Sequence, residues 1–210
     1  MTRKKILIAC EFSGIVREAF KSRGHDAWSC DLLPSEIKGN HIQGDVLEVL
    51  EDDWDLMIAF PPCTYLTKTG NRWMKPEYRD RFPDRPRQRE EAIDFFMSLA
   101  KAPIPRIAIE NPVGIMSTVW RKPDQIIHPY FFGDPQRKAT CLWLKGLPKL
   151  VPTAIVEPKI IMYKTQKGTD CDWHMATLNL PPEERTKERS RTFPGIAKAM
   201  ATQWDAWWFD

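Results

Sequence analysis

Asp55-Leu56-Met57-Ile58-Ala59-Phe60-Pro61-Pro62-Cys63 is the stretch that decides the fold. After Asp55 the residues are apolar without alternation, the mark of a strand buried on both faces. Two prolines cannot continue a central strand. The chain therefore turns at Pro61-Pro62 and leaves Cys63 at the strand's carboxyl end. Upstream, Lys5–Ala9 reads as a second buried strand, and Ser13-Gly14 as a turn. Ile15–Lys21 carries Ile15, Val16, Ala19 and Phe20 at helical spacing and is ended by Arg23-Gly24. Ala27–Cys30 and a weaker Ile42–Val46 read as further strands. Downstream, a Pro-punctuated loop runs from Thr64 to Pro86. Glu90–Lys101 follows as a helix with Ile93, Phe96, Met97 and Ala100 inward. Arg106–Ile109 is another buried strand, stopped by Glu110-Asn111-Pro112. Strands alternating with helices predict an α/β fold, a mostly parallel sheet with helices on both faces.

Beyond Pro112 the pattern weakens. Thr140–Leu144 and Ile160–Tyr163 read as strands, Leu180–Arg191 is polar and charged, and Pro194–Trp208 is a terminal helix. Ile196, Ala199, Met200 and Trp204 share one face of that helix, which should pack beside the first strand. Trp143, Trp204, Trp207 and Trp208 read as core or helix-packing residues. Trp207-Trp208-Phe209 is also open to a self-association reading.

The chain has 210 residues, 42% hydrophobic and 28% charged, the size of one domain with a full core. No apolar run approaches the ~18 residues of a membrane span. The apolar run after Met1-Thr2-Arg3-Lys4-Lys5 is cut by Glu11, too early for a secretory leader. Five widely spaced cysteines without a CxxC pair do not form a disulfide framework, so a reducing cytoplasm is expected. Cys171 and His174 make a CxxH pair with no second pair, so no metal is expected. The net charge is only +3, but the stretch from Thr64 to Glu91 holds eight basic residues against five acids. Trp73, Tyr78 and Phe82 are interleaved among them. Mixed arginines and aromatics suit phosphates and unstacked bases; a solvated loop with local ion pairs is the plainer reading.

In a doubly wound sheet, ligands sit outside the carboxyl ends of the strands. Glu11-Phe12-Ser13-Gly14 follows the first strand and leads into a helix whose amides can face an anion. Asp31 ends the second strand, where a carboxylate can accept both ribose hydroxyls. Asp45 follows Gly44 after the third and can take an adenine amino group. Together they point to an adenosine-containing cofactor. Cys63 and Glu110 stand at two further strand ends and can act as nucleophile and proton donor on one ring. Taken singly, Cys63 also reads as a buried thiol and Glu110 as a loop cap.

Glu11-Phe12-Ser13-Gly14, Pro61-Pro62-Cys63, Glu110-Asn111-Pro112 and Gly133-Asp134-Pro135-Gln136 together resemble the cytosine-C5 DNA methyltransferases, above all their short, phage-type members. The likeness runs in the family's motif order over nearly the whole chain. It implies a Rossmann-like methyltransferase sheet with S-adenosylmethionine as cofactor and DNA as partner, the target cytosine flipped from the duplex. By that resemblance Cys63 attacks C6 of cytosine, Glu110 holds N3 and the amino edge, and Lys138 and Arg137 supply cations. Glu11, Phe12, Ser13, Gly14, Asp31, Asp45, Phe60 and Pro61 would contact the cofactor. Pro62, Asn111, Gln136, Lys68, Arg72, Arg79 and Arg81 would contact substrate or DNA.

The glycine turn is leaner than the family's. Thr140 stands where the family has its second arginine of Gln-x-Arg-x-Arg, and Pro194-Gly195-Ile196 lacks the family's Asn. The 39 residues from Leu150 to Glu188 occupy the place of the family's target-reading domain. A self-supporting domain usually needs about 50 residues. A single catalytic domain over 1–210, with a reduced insertion at 150–188, is therefore expected to have short or relaxed sequence preference. The same shortage leaves open a free pyrimidine nucleotide or RNA as substrate, or a partner that supplies specificity; the altered glycine turn and Thr140 leave open a non-catalytic DNA-binding subunit, and the terminal Trp207-Trp208-Phe209 a homodimer. The place of action would be the cytoplasm of a bacterium or a phage-infected cell.

Overall fold

Apolar runs too short for a helix and too continuous for a surface strand fill the middle of a seven-stranded sheet. The computed structural model describes residues 3–162 and 169–206. β1 (Lys5–Ala9) leads into α1 (Ile15–Lys21), β2 (Asp26–Asp31), β3 (His41–Gln43) and β4 (Leu56–Ala59). After a long loop come α2 (Arg85–Lys101), β5 (Arg106–Pro112), α3 (Met116–Val119), β6 (Gln125–Ile127) and β7 (Thr140–Lys145). β8 (Ile160–Met162), β9 (Thr169–Cys171), α4 (Asp172–Leu178), α5 (Pro182–Ser190) and α6 (Pro194–Ala206) complete the chain.

The strand order is β3-β2-β1-β4-β5-β7-β6. All neighbours are parallel except at β7, which runs antiparallel to both β5 and β6. β1 pairs with β2 on one side and β4 on the other, so the order reverses there. The crevice at the carboxyl ends beside such a reversal is where this fold class binds ligands. This is the mostly parallel, Rossmann-like α/β sheet with helices on both faces that the sequence leads one to expect.

Side chains alternate across each strand. Ile6, Ile8, Leu56, Ile58 and Ala108 face α1 and α6, where Val16, Phe20, Ile196, Met200 and Trp204 meet them. Leu7, Ala9, Met57, Ala59, Ile107 and Ile109 face the other way, onto Trp54 and onto Phe96 and Leu99 of α2. Both faces are covered, which is why the strands read as unbroken apolar runs. Trp143 and Trp204 are each 1% exposed, and their indole N–H groups donate to Arg121 O and Pro148 O. Trp207, Trp208 and Phe209 lie outside the described residues.

Several boundaries differ from expectation. α2 starts at Arg85, not Glu90, with Pro86 in its first turn, where the missing N–H costs nothing. β3 is His41–Gln43, not Ile42–Val46, because Asp45 instead caps a 3-10 turn over Val46–Val49. β6 was not anticipated. The charged stretch before α6 forms α5, and Ile160–Met162 pairs with Thr169–Cys171 as a two-stranded hairpin.

Candidate active site at the carboxyl ends of the strands

At the end of β1 the backbone leaves the sheet through Cys10, whose φ of 58° is left-handed. Cys10 packs on the same side as Ala9 and Cys30. Together with Asp31, Asp45, Pro62 and Phe95 these two thiols line a cavity of about 260 Å³. Burial pushes the Cys10 thiol far above the usual range, and the Asp31 charge pushes the same way. Burial also raises the Asp31 carboxyl, against the hydrogen bond it accepts from the Leu33 amide at 2.9 Å. Asp45 is exposed, and its Oδ1 accepts from the Leu47 amide at 2.9 Å.

Glu11 has a different task from the one expected. It is 4% exposed, and its Oε1 and Oε2 accept from the Val16 and Arg17 amides at 2.6 and 3.3 Å. The anion at the start of α1 is thus the protein's own carboxylate. Ser13 donates to it at 3.2 Å. Gly14, at φ 75°, provides the left-handed turn into the helix. Phe12 is buried. None of these four residues lines the cavity.

Pro61-Pro62 turns the chain after β4 as the sequence implies. Asn111, 1% exposed, donates from Nδ2 to Pro61 O at 2.9 Å. Expected to contact substrate, Asn111 is instead a brace between the ends of β4 and β5. Both the Leu66 and Thr67 amides donate to Cys63 O, at 3.0 and 3.1 Å. A bridge between Thr67 and Gly114 then ties the two loops together. A side chain at Gly114 would place its Cβ 2.0 Å from Leu66 O, so only glycine allows that approach.

The brace sets Cys63 beside Glu110. Burial raises the half-buried Cys63 thiol first, the Glu110 charge raises it further, and Lys138 pulls it down. Cys141, on β7 beside them, is raised to about 11 by burial and by Glu110. Glu110, Phe60, Lys138, Thr140, Arg191 and Phe193 enclose a space of about 20 Å³, enough for roughly one water.

Lys138 donates to Arg189 O at 3.2 Å and lies 5.7 Å from the Trp173 ring centre. Arg137 is exposed. Gln136, expected at the substrate, accepts from the Trp173 amide at 3.2 Å. Arg191 bridges Glu188 and Glu36, tying α5 to the loop after β2. Lys68, Arg72, Arg79 and Arg81 are exposed on the loop after Cys63. Arg89 is not: its guanidinium donates to Tyr65 O and Asn71 Oδ1 at 3.1 and 2.8 Å, fixing that loop to α2.

The sequence reading gave no site role to Cys10, Cys30 and Phe95 in the cavity or to Phe193 near Glu110, and it noted Thr140 only for the arginine it replaces. Phe95 had one signal. It adjoins the inward Phe96, and successive helical residues point about 100° apart, so one of the pair reaches the sheet's edge. Among the described residues no three His, Cys, Asp or Glu side chains come together to hold a metal. The side chain of Cys171 lies outside them.

No protein-family model matches the chain, and no curated protein matches it. Among solved structures it is similar to one described as a candidate DNA modification methyltransferase encoded within a prophage of E. coli. That match has a TM-score of 0.45 and 14% identity, and covers 72% of this chain. It covers 51% of the other, so the chain spans about half the length of that protein.

Proposed function

We propose that the protein is a DNA cytosine-C5 methyltransferase. The observation that carries this reading is the placement of Cys63 and Glu110 on neighbouring strand ends, close enough for the carboxylate to raise the thiol. Lys138 stands on the same rim. The cavity beside them suits a nucleoside: Val46 and Phe95 offer apolar surface, Asp31 an acceptor for ribose hydroxyls, and Asp45 an acceptor for a ring amino group. S-adenosylmethionine, when bound there, supplies an electrophilic methyl group.

The remaining chemistry belongs to this chain. C5 of cytosine is a poor nucleophile until something adds to C6. The Cys63 thiolate forms a bond to C6, and the proton the thiol gives up is held between Glu110 and N3. The electron pair displaced to C5 would then make the bond to the methyl carbon, whose bond to sulfur would break with its electron pair left on the sulfur. A base then takes the C5 proton, the C5–C6 double bond returns, and Cys63 leaves with its electron pair. A base in a duplex must first be extruded to reach Cys63. Proton sharing between Glu110 and N3 also dilutes the carboxylate charge that opposes the thiolate, so the bound base assists its own attack.

A single catalytic domain with a reduced insertion over 150–188 fits short or relaxed sequence preference. The test is incubation with labelled S-adenosylmethionine and mixed-sequence DNA, with products read by mass spectrometry. 5-Methylcytosine that disappears in Cys63→Ala is the expected result. Cofactor binding without any methylated DNA overturns the proposal, and product on dCMP or RNA alone moves it to those substrates. Covalent trapping on 5-fluorocytosine DNA that survives in Cys63→Ala removes the covalent step.

A further inference from the structure

The loop after Cys63 bounds an open surface cavity, of about 620 Å³, distinct from the cofactor cavity and from the Glu110 space. It is lined by Thr64, Thr67, Thr69, Arg72, Trp73 and Arg85. Thr64 follows the nucleophile directly, so the cavity begins about 3.8 Å of backbone away from Cys63. Gly70 keeps its floor open: a Cβ there would lie 3.2 Å from Arg85 Nη2 and 3.2 Å from Thr67 Oγ1.

Its cations differ from the other basic groups of this region. Arg87 pairs with Asp84 and Glu91, and Lys75 with Glu77. Neither Arg72 nor Arg85 pairs with a carboxylate among the described residues. The Arg85 guanidinium lies over Tyr65 with its carbon 5.1 Å from the ring centre. Its Nε is closed off from solvent and has no hydrogen-bond partner. Arg72 lies over the Trp73 ring at 4.1 Å, and Tyr78 and Phe82 hold that ring edge-on at 5.0 and 5.3 Å. Arg85 Nη2 also donates to Thr64 O at 3.5 Å, which turns it toward the loop. Hydroxyls with guanidinium groups that no carboxylate neutralises are a phosphate's partners, and a braced aromatic–guanidinium platform is an unstacked base's partner. One cavity therefore offers both halves of a nucleotide.

We infer that this cavity is a subsite for the nucleotide next to the target cytosine on the same strand. The phosphate lies at Arg85 and the threonine hydroxyls, the base on the Arg72–Trp73 platform. The inference rests on the DNA reading of the active site. It gives the catalytic loop a hand in sequence preference, a role the short insertion is poorly sized to fill alone.

The test is cofactor-free binding of short fluorescent single-stranded oligonucleotides, measured by anisotropy on the full chain. The probes carry one cytosine with intact neighbours, with an abasic site at either neighbour in turn, or with a neutral methylphosphonate at either flanking phosphate. Trp73→Ala should weaken the intact probe about tenfold, within the range of one base–aromatic stack, and leave one abasic probe unchanged. Arg85→Gln should likewise lose its effect on one methylphosphonate probe. It keeps the question decidable if Trp73→Ala fails to fold by circular dichroism. Equal losses on intact and altered probes overturn the subsite. The methylation product of the wild type is read separately. No 5-methylcytosine with a base-dependent Trp73 effect sinks the methyltransferase reading and keeps the subsite; 5-methylcytosine with a base-independent effect does the reverse.

Discussion

Cys63 must lose its proton before it can attack carbon, and its surroundings resist that loss. Burial and the Glu110 charge both raise the thiol, with Lys138 opposing. Alkylation of Cys63 by iodoacetamide, followed by peptide mass spectrometry, should therefore give an apparent pKa above that of an ordinary thiol. Glu110→Gln removes the charge that raises it, so Cys63 should alkylate faster at neutral pH. The same variant should lose about 10²- to 10⁴-fold in methylation, the usual worth of a positioned proton partner. Lys138→Met should slow alkylation. An unchanged alkylation profile in both variants would separate Cys63 from these two charges. Asn111 acts through Pro61, not on substrate. Asn111→Ala should lower methylation more than it lowers the urea midpoint, with the Cys63 alkylation profile broadened by loss of a fixed position.

At the scale of elements, two glycines decide how segments meet. Gly114 lets the loop after β5 touch the base of the catalytic loop. Gly195 lets α6 dock on the 132–134 turn, where Asp134 accepts its amide at 2.8 Å and a Cβ would lie 2.0 Å from Phe132 O. Gly195→Ala should cost about 1–3 kcal/mol in urea unfolding, as overpacking against backbone does. Asp134→Ala should cost about 1 kcal/mol, the value of a helix cap. Element prediction from sequence worked where burial alone specified the answer. Lys5–Ala9 and Ile15–Lys21 are found with the expected bounds, and Leu56–Ala59 falls within the expected strand. It failed at β6, whose three residues carry too little pattern, and at α5, a charged helix without an apolar stripe to announce it.

For the whole molecule, stability and, on the proposed function, DNA affinity follow from charge. Cys30 and Cys141 are each raised to about 11 by burial and nearby carboxylates. The folded state holds these protons more tightly than the unfolded chain does. Stability is then full below pH 9, the ordinary thiol value, and falls as pH climbs toward 11. The unfolding free energy from urea melts should drop between pH 8 and pH 10 by an amount on the order of 2 kcal/mol, and Cys141→Ser should reduce that drop. DNA binding should weaken steeply with salt. Lys68, Arg79 and Arg81 are exposed on one loop, and each phosphate contact adds about 0.9 to the slope of log affinity against log salt. Replacing these three by Gln should flatten that slope by up to roughly 3.

The sequence by itself determined the parallel core and the residues at its strand ends. Unbroken apolar runs have only a doubly covered sheet to fill, and prolines or acids after each run mark where chemistry is exposed. It also singled out Cys63 and Glu110 as candidates, because their residue types and neighbours sit in short contiguous motifs. Only the tertiary structure decided that β7 enters between β5 and β6 in the opposite direction. It alone showed Glu11 serving α1 and Asn111 holding Pro61, and it alone put Cys10, Cys30 and Phe95 around one cavity. Those outcomes depend on contacts between segments far apart in the chain, fixed by how the two faces of the sheet are filled, and no local pattern carries them.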